Sequence, residues 1–323
     1  MRGPKAQTIF GTLSRRSLGD LEQRAESRIV RTDASTSVRV ELDRPNRPAR
    51  SALVLLHGLA GSSESRYVLG TARKARDAGF LAARMNARNC GGTEQLTSEP
   101  YNGEETDDLE AVARELLKRD GVQRVHLLGF SVGGNQVLRL TARWGHEAPE
   151  WLGSVSLVSP CLDFAAAADG LQRSLFRRTV QSYFLDGLKE IVRRRAELDA
   201  GVELAGLDSI QSIRAFDDRY TAPLSGYRDA DEYYASASMR GRWNEIGTPT
   251  LVVASRDDPL VPFTCFDGLD GTDAPVRLLA THEGGHVGFV GRATPAPVRG
   301  WRDSDRRWAE NRVLQFASAC DRV

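Results

Sequence analysis

The sequence predicts an α/β fold: a mostly parallel central sheet flanked by helices on both faces, with a helical lid inserted in the second half of the chain. Three observations carry the prediction. Apolar strand-like runs alternate with amphipathic helical runs along most of the 323 residues. One of these runs, Val125-His126-Leu127-Leu128, opens directly into Gly129-Phe130-Ser131-Val132-Gly133, a strand-to-helix turn. From Asp163 to about Glu245 no buried strand recurs, and helix-like stretches fill the interval. The expected organisation is one elaborated domain, with a core over residues 1–162, a helical lid or cap over 163–246 and the rest of the core over 247–323.

In chain order, Val38-Arg39-Val40-Glu41-Leu42 alternates apolar and polar residues and reads as a half-exposed, antiparallel edge strand. Ser51 to Leu56 is a buried strand that ends in His57-Gly58. Asp107 to Leu117 places Leu109, Val112, Leu116 and Leu117 on one helical stripe leading to the strand before Ser131. After Val155-Ser156-Leu157-Val158-Ser159-Pro160 the rhythm turns helical, and strands return at Thr250-Leu251-Val252-Val253-Ala254 and Val276-Arg277-Leu278-Leu279-Ala280. Within the insertion Leu175, Phe176, Val180, Tyr183, Phe184, Leu188 and Ile191 recur at helical spacing, and Arg177, Arg178, Arg193, Arg194 and Arg195 crowd the remainder. The expectation is a helix packed on its own core with a solvated basic face.

Ser131 is the candidate nucleophile, because a serine on a sharp strand-to-helix reversal presents its hydroxyl outward. Only very small residues two positions before and after let strand and helix pass, and Gly129 and Gly133 meet that need. Such a turn works with a second backbone amide from the loop after an earlier strand. The loop His57-Gly58-Leu59-Ala60-Gly61 supplies one, so the Leu59 and Val132 amides are the candidate oxyanion hole. His57 itself reads as a loop-shaping histidine. In elbows of this kind the chain order is serine, acid, histidine. Of the later histidines, His146 reads as a solvated helix end, and His286 is preferred to His282 because Gly284-Gly285 lets its ring turn inward. The orienting acid is expected where a strand ends between elbow and histidine. Asp258, four positions before Pro262 and 28 before His286, is the choice, with Asp257 as the alternative, otherwise a turn-former or an arginine partner.

These residues, together with Gln7-Thr8, Asn89-Cys90-Gly91-Gly92-Thr93-Glu94, Phe216-Asp217-Asp218, Thr221-Ala222-Pro223, Tyr233-Tyr234 and Gly284-Gly285-His286-Val287-Gly288-Phe289, resemble the YheT-type branch of the α/β-hydrolase superfamily over most of the chain. The resemblance implies Ser131 as nucleophile, Asp258 as acid and His286 as base. It also implies a serine esterase or lipase-like enzyme acting on small to medium-chain or lipid-derived acyl esters, without a cofactor. Lys5-Ala6 replaces the family's His-Leu before Gln7-Thr8, and Tyr101-Asn102-Gly103-Glu104 stands where a Tyr-His-Ser-Gly stretch is usual. On this reading the lid helix has an alternative role, as an apolar wall for an acyl chain with an arginine rim facing anionic head groups or a peripheral membrane surface. Acyl transfer to an alcohol, amide or thioester cleavage, and a non-catalytic binding protein on the same fold are the competing functions.

Composition narrows the classes. Lysine and arginine number 44 against 43 acidic residues, so nothing global points to nucleic acid. Met1-Arg2-Gly3-Pro4-Lys5 leads into no long apolar segment, and no run approaches the ~18 residues of a spanning helix, so a cytoplasmic location is expected. Cys90, Cys161, Cys265 and Cys320 form no metal-spaced pairs, which suits a reducing compartment, and Cys90 reads as a small packed loop residue. Small esters or lipids are the expected partners, no metal is expected, and the oligomeric state is left open.

Overall fold

The computed structural model describes residues 3–13, 25–291 and 301–322; Met1 and Arg2 lie outside them. Eight strands form one sheet: β1 (Glu26–Arg31), β2 (Ser37–Asp43), β3 (Ser51–Leu56), β4 (Leu81–Met85), β5 (Arg124–Phe130), β6 (Leu152–Val158), β7 (Thr250–Ser255) and β8 (Val276–Thr281). Their order is β1-β2-β4-β3-β5-β6-β7-β8. The pairs from β4 to β8 are parallel, and β1–β2 and β2–β4 are antiparallel. Helices cover both faces: α1 (Pro4–Leu13), α2 (Arg66–Asp77), α3 (Asp107–Arg119), α4 (Val132–Trp144), α5 (Phe164–Gly170), α6 (Leu175–Leu198), α7 (Ala230–Ala237) and α8 (Trp308–Cys320).

Strand pleating divides the core in two. Val54, Leu56, Val125 and Leu127 face one cluster, shared with α3, α4 and the helices that follow β6. Leu53, Leu55, Leu128 and Phe130 face the other, with Val68, Leu69 and Ala72 of α2 and Val313 and Leu314 of α8. β3 and β5 are buried along almost their whole length, as central parallel strands sandwiched by helices must be.

The alternating segment 38–42 is antiparallel, but it is not an edge. β1 pairs outside it, with Glu26 opposite Leu42 and Arg31 opposite Ser37. The alternation is nonetheless explained, because Val38, Val40 and Leu42 point into the core while Arg39 and Glu41 stay partly solvated.

Between β6 and β7 the chain is helical: α5, α6, the turns Ile213–Phe216, Asp217–Thr221 and Ala222–Leu224, and α7. The face α6 buries is rotated from the one its apolar pattern predicts. Leu188 is buried, but Leu175 is 82% and Tyr183 59% exposed, while Gln181, Leu185, Lys189 and Val192 point inward. Gln181 and Lys189 are inside because they hold backbone: Gln181 donates to the Gln211 carbonyl and accepts from the Ile213 amide. The Lys189 ammonium donates to the Asp208 and Ile210 carbonyls at 3.1 and 2.7 Å. The five arginines expected on the rim all have protein partners: Gly170 for Arg177, Gln172 for Arg178, Asp208 for Arg193, Glu190 for Arg194, and the Glu94 and Thr97 carbonyls for Arg195.

Candidate active site

β5 delivers Ser131 and α4 begins at the next residue. Ser131 lies at φ 52°, ψ −118°, a strained setting for a residue with a side chain. The reversal is so tight that a methyl group added at Gly129 would fall on the Gly133 carbonyl, and one added at Gly133 on the His57 carbonyl. The strain is held by backbone: the Ser131 amide donates to the Val158 carbonyl at 3.0 Å, and its own carbonyl accepts from Gly134, Asn135 and Cys161.

The structure brings Ser131, Asp258 and His286 together. His286 Nε2 stands 3.0 Å from Ser131 Oγ, and Nδ1 stands 2.8 Å from Asp258 Oδ2. The carboxylate keeps the ring proton on Nδ1, which leaves the Nε2 lone pair to accept the serine hydroxyl. Asp258 is itself fixed, since its Oδ1 accepts from the Leu260 and Val261 amides at 2.8 and 3.0 Å. His286 is only 5% exposed, and its contact with the buried Asp258 carboxylate is shielded from competing water. His282 and His146 lie nearer the surface and take no part.

The loop after β3 lies against the serine: a methyl group at Gly58 would come within 3.0 Å of Ser131 Cβ. Among the described residues the Leu59 and Val132 amides donate no hydrogen bond. His57 braces this loop, with Nδ1 donating to the Gly58 carbonyl at 2.7 Å and Nε2 accepting from the Ala87 amide at 3.1 Å. Burial pushes its imidazole down to about 4, so the ring is neutral and fully used as a strut. Tyr67 adds a second brace, its hydroxyl accepting from the Gly58 amide.

Asp257 is neither a simple turn-former nor an arginine partner; it holds the histidine loop. One of its oxygens accepts from the Gly284 and Gly285 amides, each at 2.9 Å, and from the Ser255 hydroxyl. Thr8 and Gln7, which enter the sequence reading only through a resemblance, also touch this loop: the His286 amide donates to Thr8 Oγ1 at 2.9 Å and the Val290 amide to Gln7 Oε1 at 2.7 Å.

A cavity of about 470 Å³ opens over Ser131 and His286, bounded by Leu59, Glu64, Arg66, Tyr183, Phe184, Ile191 and Arg194. The exposed side of α6 thus forms one wall, and Gly187 brings that helix against the loop, since a methyl group there would lie 2.9 Å from Ala60 Cβ. A smaller apolar cavity of about 70 Å³ sits beside Leu59 and Val132, walled by Cys161, Phe164, Leu188 and Tyr233. Asp217 is at its wall, accepting from the Tyr234 and Thr221 hydroxyls at 2.6 Å each, and burial raises its carboxyl to about 6. Gly103, from the departing 101–104 stretch, borders the same cavity and donates to the Tyr233 hydroxyl. Cys90 is buried and its thiol is pushed up by desolvation, so it is a packed residue and a poor nucleophile. Among the described residues no group of three His, Cys, Asp or Glu is placed to hold a metal ion, and no helix is long and apolar enough to cross a membrane.

Residues 51–291 match the model of the alpha/beta hydrolase fold family. The chain is 32% identical over 264 residues to the Escherichia coli (strain K12) protein named "Putative esterase YheT", covering 81% of this chain and 74% of that one. It is 30% identical to the mouse (Mus musculus) phospholipase ABHD3, over 75% of this chain and 59% of that protein. It is 29% identical to a monoacylglycerol lipase of Saccharomyces cerevisiae, over 83% and 59%. The chain therefore spans about three fifths of the length of these two eukaryotic relatives. Among solved structures it is similar in fold to the Pyrococcus furiosus esterase Pf2001, with a TM-score of 0.57 at 14% identity, covering 95% of each chain. It is equally similar to a proline iminopeptidase of Mycobacterium smegmatis, with a TM-score of 0.57 at 18% identity over 92% of this chain and 99% of that one.

Proposed function

The chain belongs to the α/β-hydrolase family, and from that premise we propose that it is a carboxylic ester hydrolase working through Ser131, His286 and Asp258 by an acyl-enzyme intermediate. The observation that carries the reading is the unbroken relay from Ser131 Oγ to His286 Nε2 and from His286 Nδ1 to Asp258.

In the first half-reaction Ser131 Oγ attacks the ester carbonyl carbon while His286 Nε2 takes the hydroxyl proton. Asp258 holds the ring and offsets the positive charge it gains. The carbonyl oxygen becomes an oxyanion between the Leu59 and Val132 amides, which are not engaged by other described residues. One such donor is worth about 2.7–4 kcal/mol of transition-state stabilisation. The intermediate collapses, His286 returns the proton to the departing alkoxide, and the alcohol leaves. Water then attacks the acyl-enzyme, giving its proton to His286, and the acid is released as Ser131 Oγ is reprotonated.

The cavity under α6 suits an acyl ester or lipid: Leu59, Phe184 and Ile191 give apolar contact, while Glu64, Arg66 and Arg194 keep the mouth polar. The relatives named esterase, phospholipase and monoacylglycerol lipase favour ester substrates over amides. The four free cysteines suit a reducing, cytoplasmic setting.

The test is Ser131→Ala assayed on p-nitrophenyl acyl esters, with fluorophosphonate labelling of the unaltered enzyme. Turnover should fall to background in the folded variant and the label should map to Ser131. Retained turnover removes the assignment. Product analysis with glycerol present separates hydrolysis from acyl transfer.

A further inference from the structure

The loop that carries His286 is strained. Gly285 at φ 59° is at ease there, but Val287 at φ 52° and Phe289 at φ 43° are not. A β-branched residue with positive φ is strained and persists only where its surroundings over-determine it. The loop's amides show where that constraint comes from. Gly284 and Gly285 donate to Asp257, His286 to Thr8 Oγ1, Val287 to the Ser159 hydroxyl, Phe289 to the Gly284 carbonyl and Val290 to Gln7 Oε1. Two of the six therefore end on α1, which is far away in sequence.

α1 meets the loop at a separation only glycine allows. A methyl group at Gly11 would lie 2.7 Å from Gly288 Cα, and one at Gly285 2.5 Å from the Pro4 carbonyl oxygen. A methyl group at Gly288 would fall on the Gln7 carbonyl. Gln7 and Thr8 are buried, 3% and 6% exposed. Gln7 also donates Nε2 to the Val290 carbonyl, so its amide pairs with both backbone groups of that residue. Thr8 Oγ1 donates to the Pro4 carbonyl at 2.8 Å, which turns its lone pairs toward the His286 amide.

We infer that Gln7 and Thr8 are positioning residues for the hydrolysis: α1 is a clamp that fixes the backbone of residues 286–290 so that the His286 ring stays within reach of Ser131. The inference rests on the reading of Ser131, His286 and Asp258 as the reacting set. Neither Gln7 nor Thr8 lines the substrate cavity, so their effect acts through the histidine alone.

The experiment compares Thr8→Val, Thr8→Ser and Gln7→Ala in the full chain, measuring kcat and KM on one p-nitrophenyl ester, the fluorophosphonate labelling rate and the melting temperature. Thr8→Val keeps the shape and removes the acceptor. It should lower kcat and the labelling rate by about 100-fold, the scale of a ~1 Å misplacement, with KM within twofold. Thr8→Ser should restore most of both, and Gln7→Ala should act in the same direction as Thr8→Val. If Thr8→Val and Gln7→Ala are folded at the assay temperature and keep kcat within twofold of the unaltered enzyme, the inference is overturned. A loss tracking only the unfolded fraction overturns it equally. Ser131→Ala is run beside them: full activity there would remove the underlying reading, whereas a dead Ser131→Ala with inert α1 variants removes the clamp alone.

Discussion

Asp257 and Asp258, adjacent in sequence, hold His286 at two different places. Asp257 fixes the backbone of the histidine loop through the Gly284 and Gly285 amides, and Asp258 fixes the imidazole. Substitution should separate them. Asp258→Asn presents an amide to Nδ1, favours the wrong tautomer and should lower kcat by about 10⁴-fold. Asp257→Asn keeps an oxygen for both amides and should stay within about tenfold of the unaltered enzyme, since no proton moves through it. Steady-state kinetics of the two folded variants decide the matter, and the reverse ranking would exchange their roles.

The elbow admits no side chain at Gly133. Gly133→Ala drives a methyl group into the His57 carbonyl and to within 2.8 Å of the Leu56 carbonyl, both backbone atoms at the end of a central strand that cannot step aside. Destabilisation of about 3 kcal/mol or more is expected, at the upper end of overpacking costs. Urea denaturation should show an early midpoint, and a variant as stable as the parent would contradict the tight reversal.

The stability of the fold between pH 4 and 6.5 should carry two opposed contributions. His57 has its folded value lowered to about 4, so as pH falls below ~6.5 the unfolded chain takes up a proton that the folded protein refuses, and stability is lost. Asp217 has its folded value raised to about 6, so as pH rises above ~3.8 the unfolded chain releases a proton that the folded protein keeps, and stability is again lost. Each shift corresponds to roughly 3 kcal/mol over its window. Asp217→Asn removes the second contribution. Its stability relative to the unaltered protein should rise by about 2 kcal/mol between about pH 4.5 and pH 7.5. Urea midpoints at about pH 4.5, 5.5 and 7.5, spanning that window, measure it. A pH-independent difference would show that Asp217 ionises normally in the fold.

Contact between α6 and the loop after β3 passes through a small pair, Gly187 on Ala60. Gly187→Leu should lift the helix from the cavity wall and change KM several-fold while leaving fluorophosphonate labelling of Ser131 nearly intact. Equal loss of labelling would mean that the helix supports the nucleophile itself. Helix propensity opposes the clash, because replacing a mid-helix glycine gains up to ~1 kcal/mol.

What can be read from the sequence follows the range of each signal. The central strands and the elbow are written in consecutive residues: Leu53 to Leu56 and Val125 to Leu128 are buried because both faces are covered, and Gly129 and Gly133 are dictated by backbone within one turn. Ser131, Asp258 and His286 can be singled out because each follows a strand with its own local punctuation, and these three are the side chains that meet. β1 is not legible because its residues are mostly polar and its apolar Ile29 is 51% exposed, an edge with only one covered face. The orientation of α6 departs from its pattern because Gln181 and Lys189 are buried for the carbonyls they hold, a reason invisible to hydrophobic spacing. The contacts of Gln7, Thr8 and Asp257 are hidden for the same reason, since backbone amides donated from 283, 278 and 27–28 residues away leave no trace in local pattern.

The 278 residues between Thr8 and the amide it receives also set a schedule for synthesis. At ~5–20 residues per second, α1 is synthesised roughly 14–56 s before its partner. The earlier strands and the elbow can assemble meanwhile, but His286 is translated late. On the proposed reading, a nascent chain of this protein carries Ser131 before it has a partner, and full activity waits until these two distant stretches of polypeptide meet.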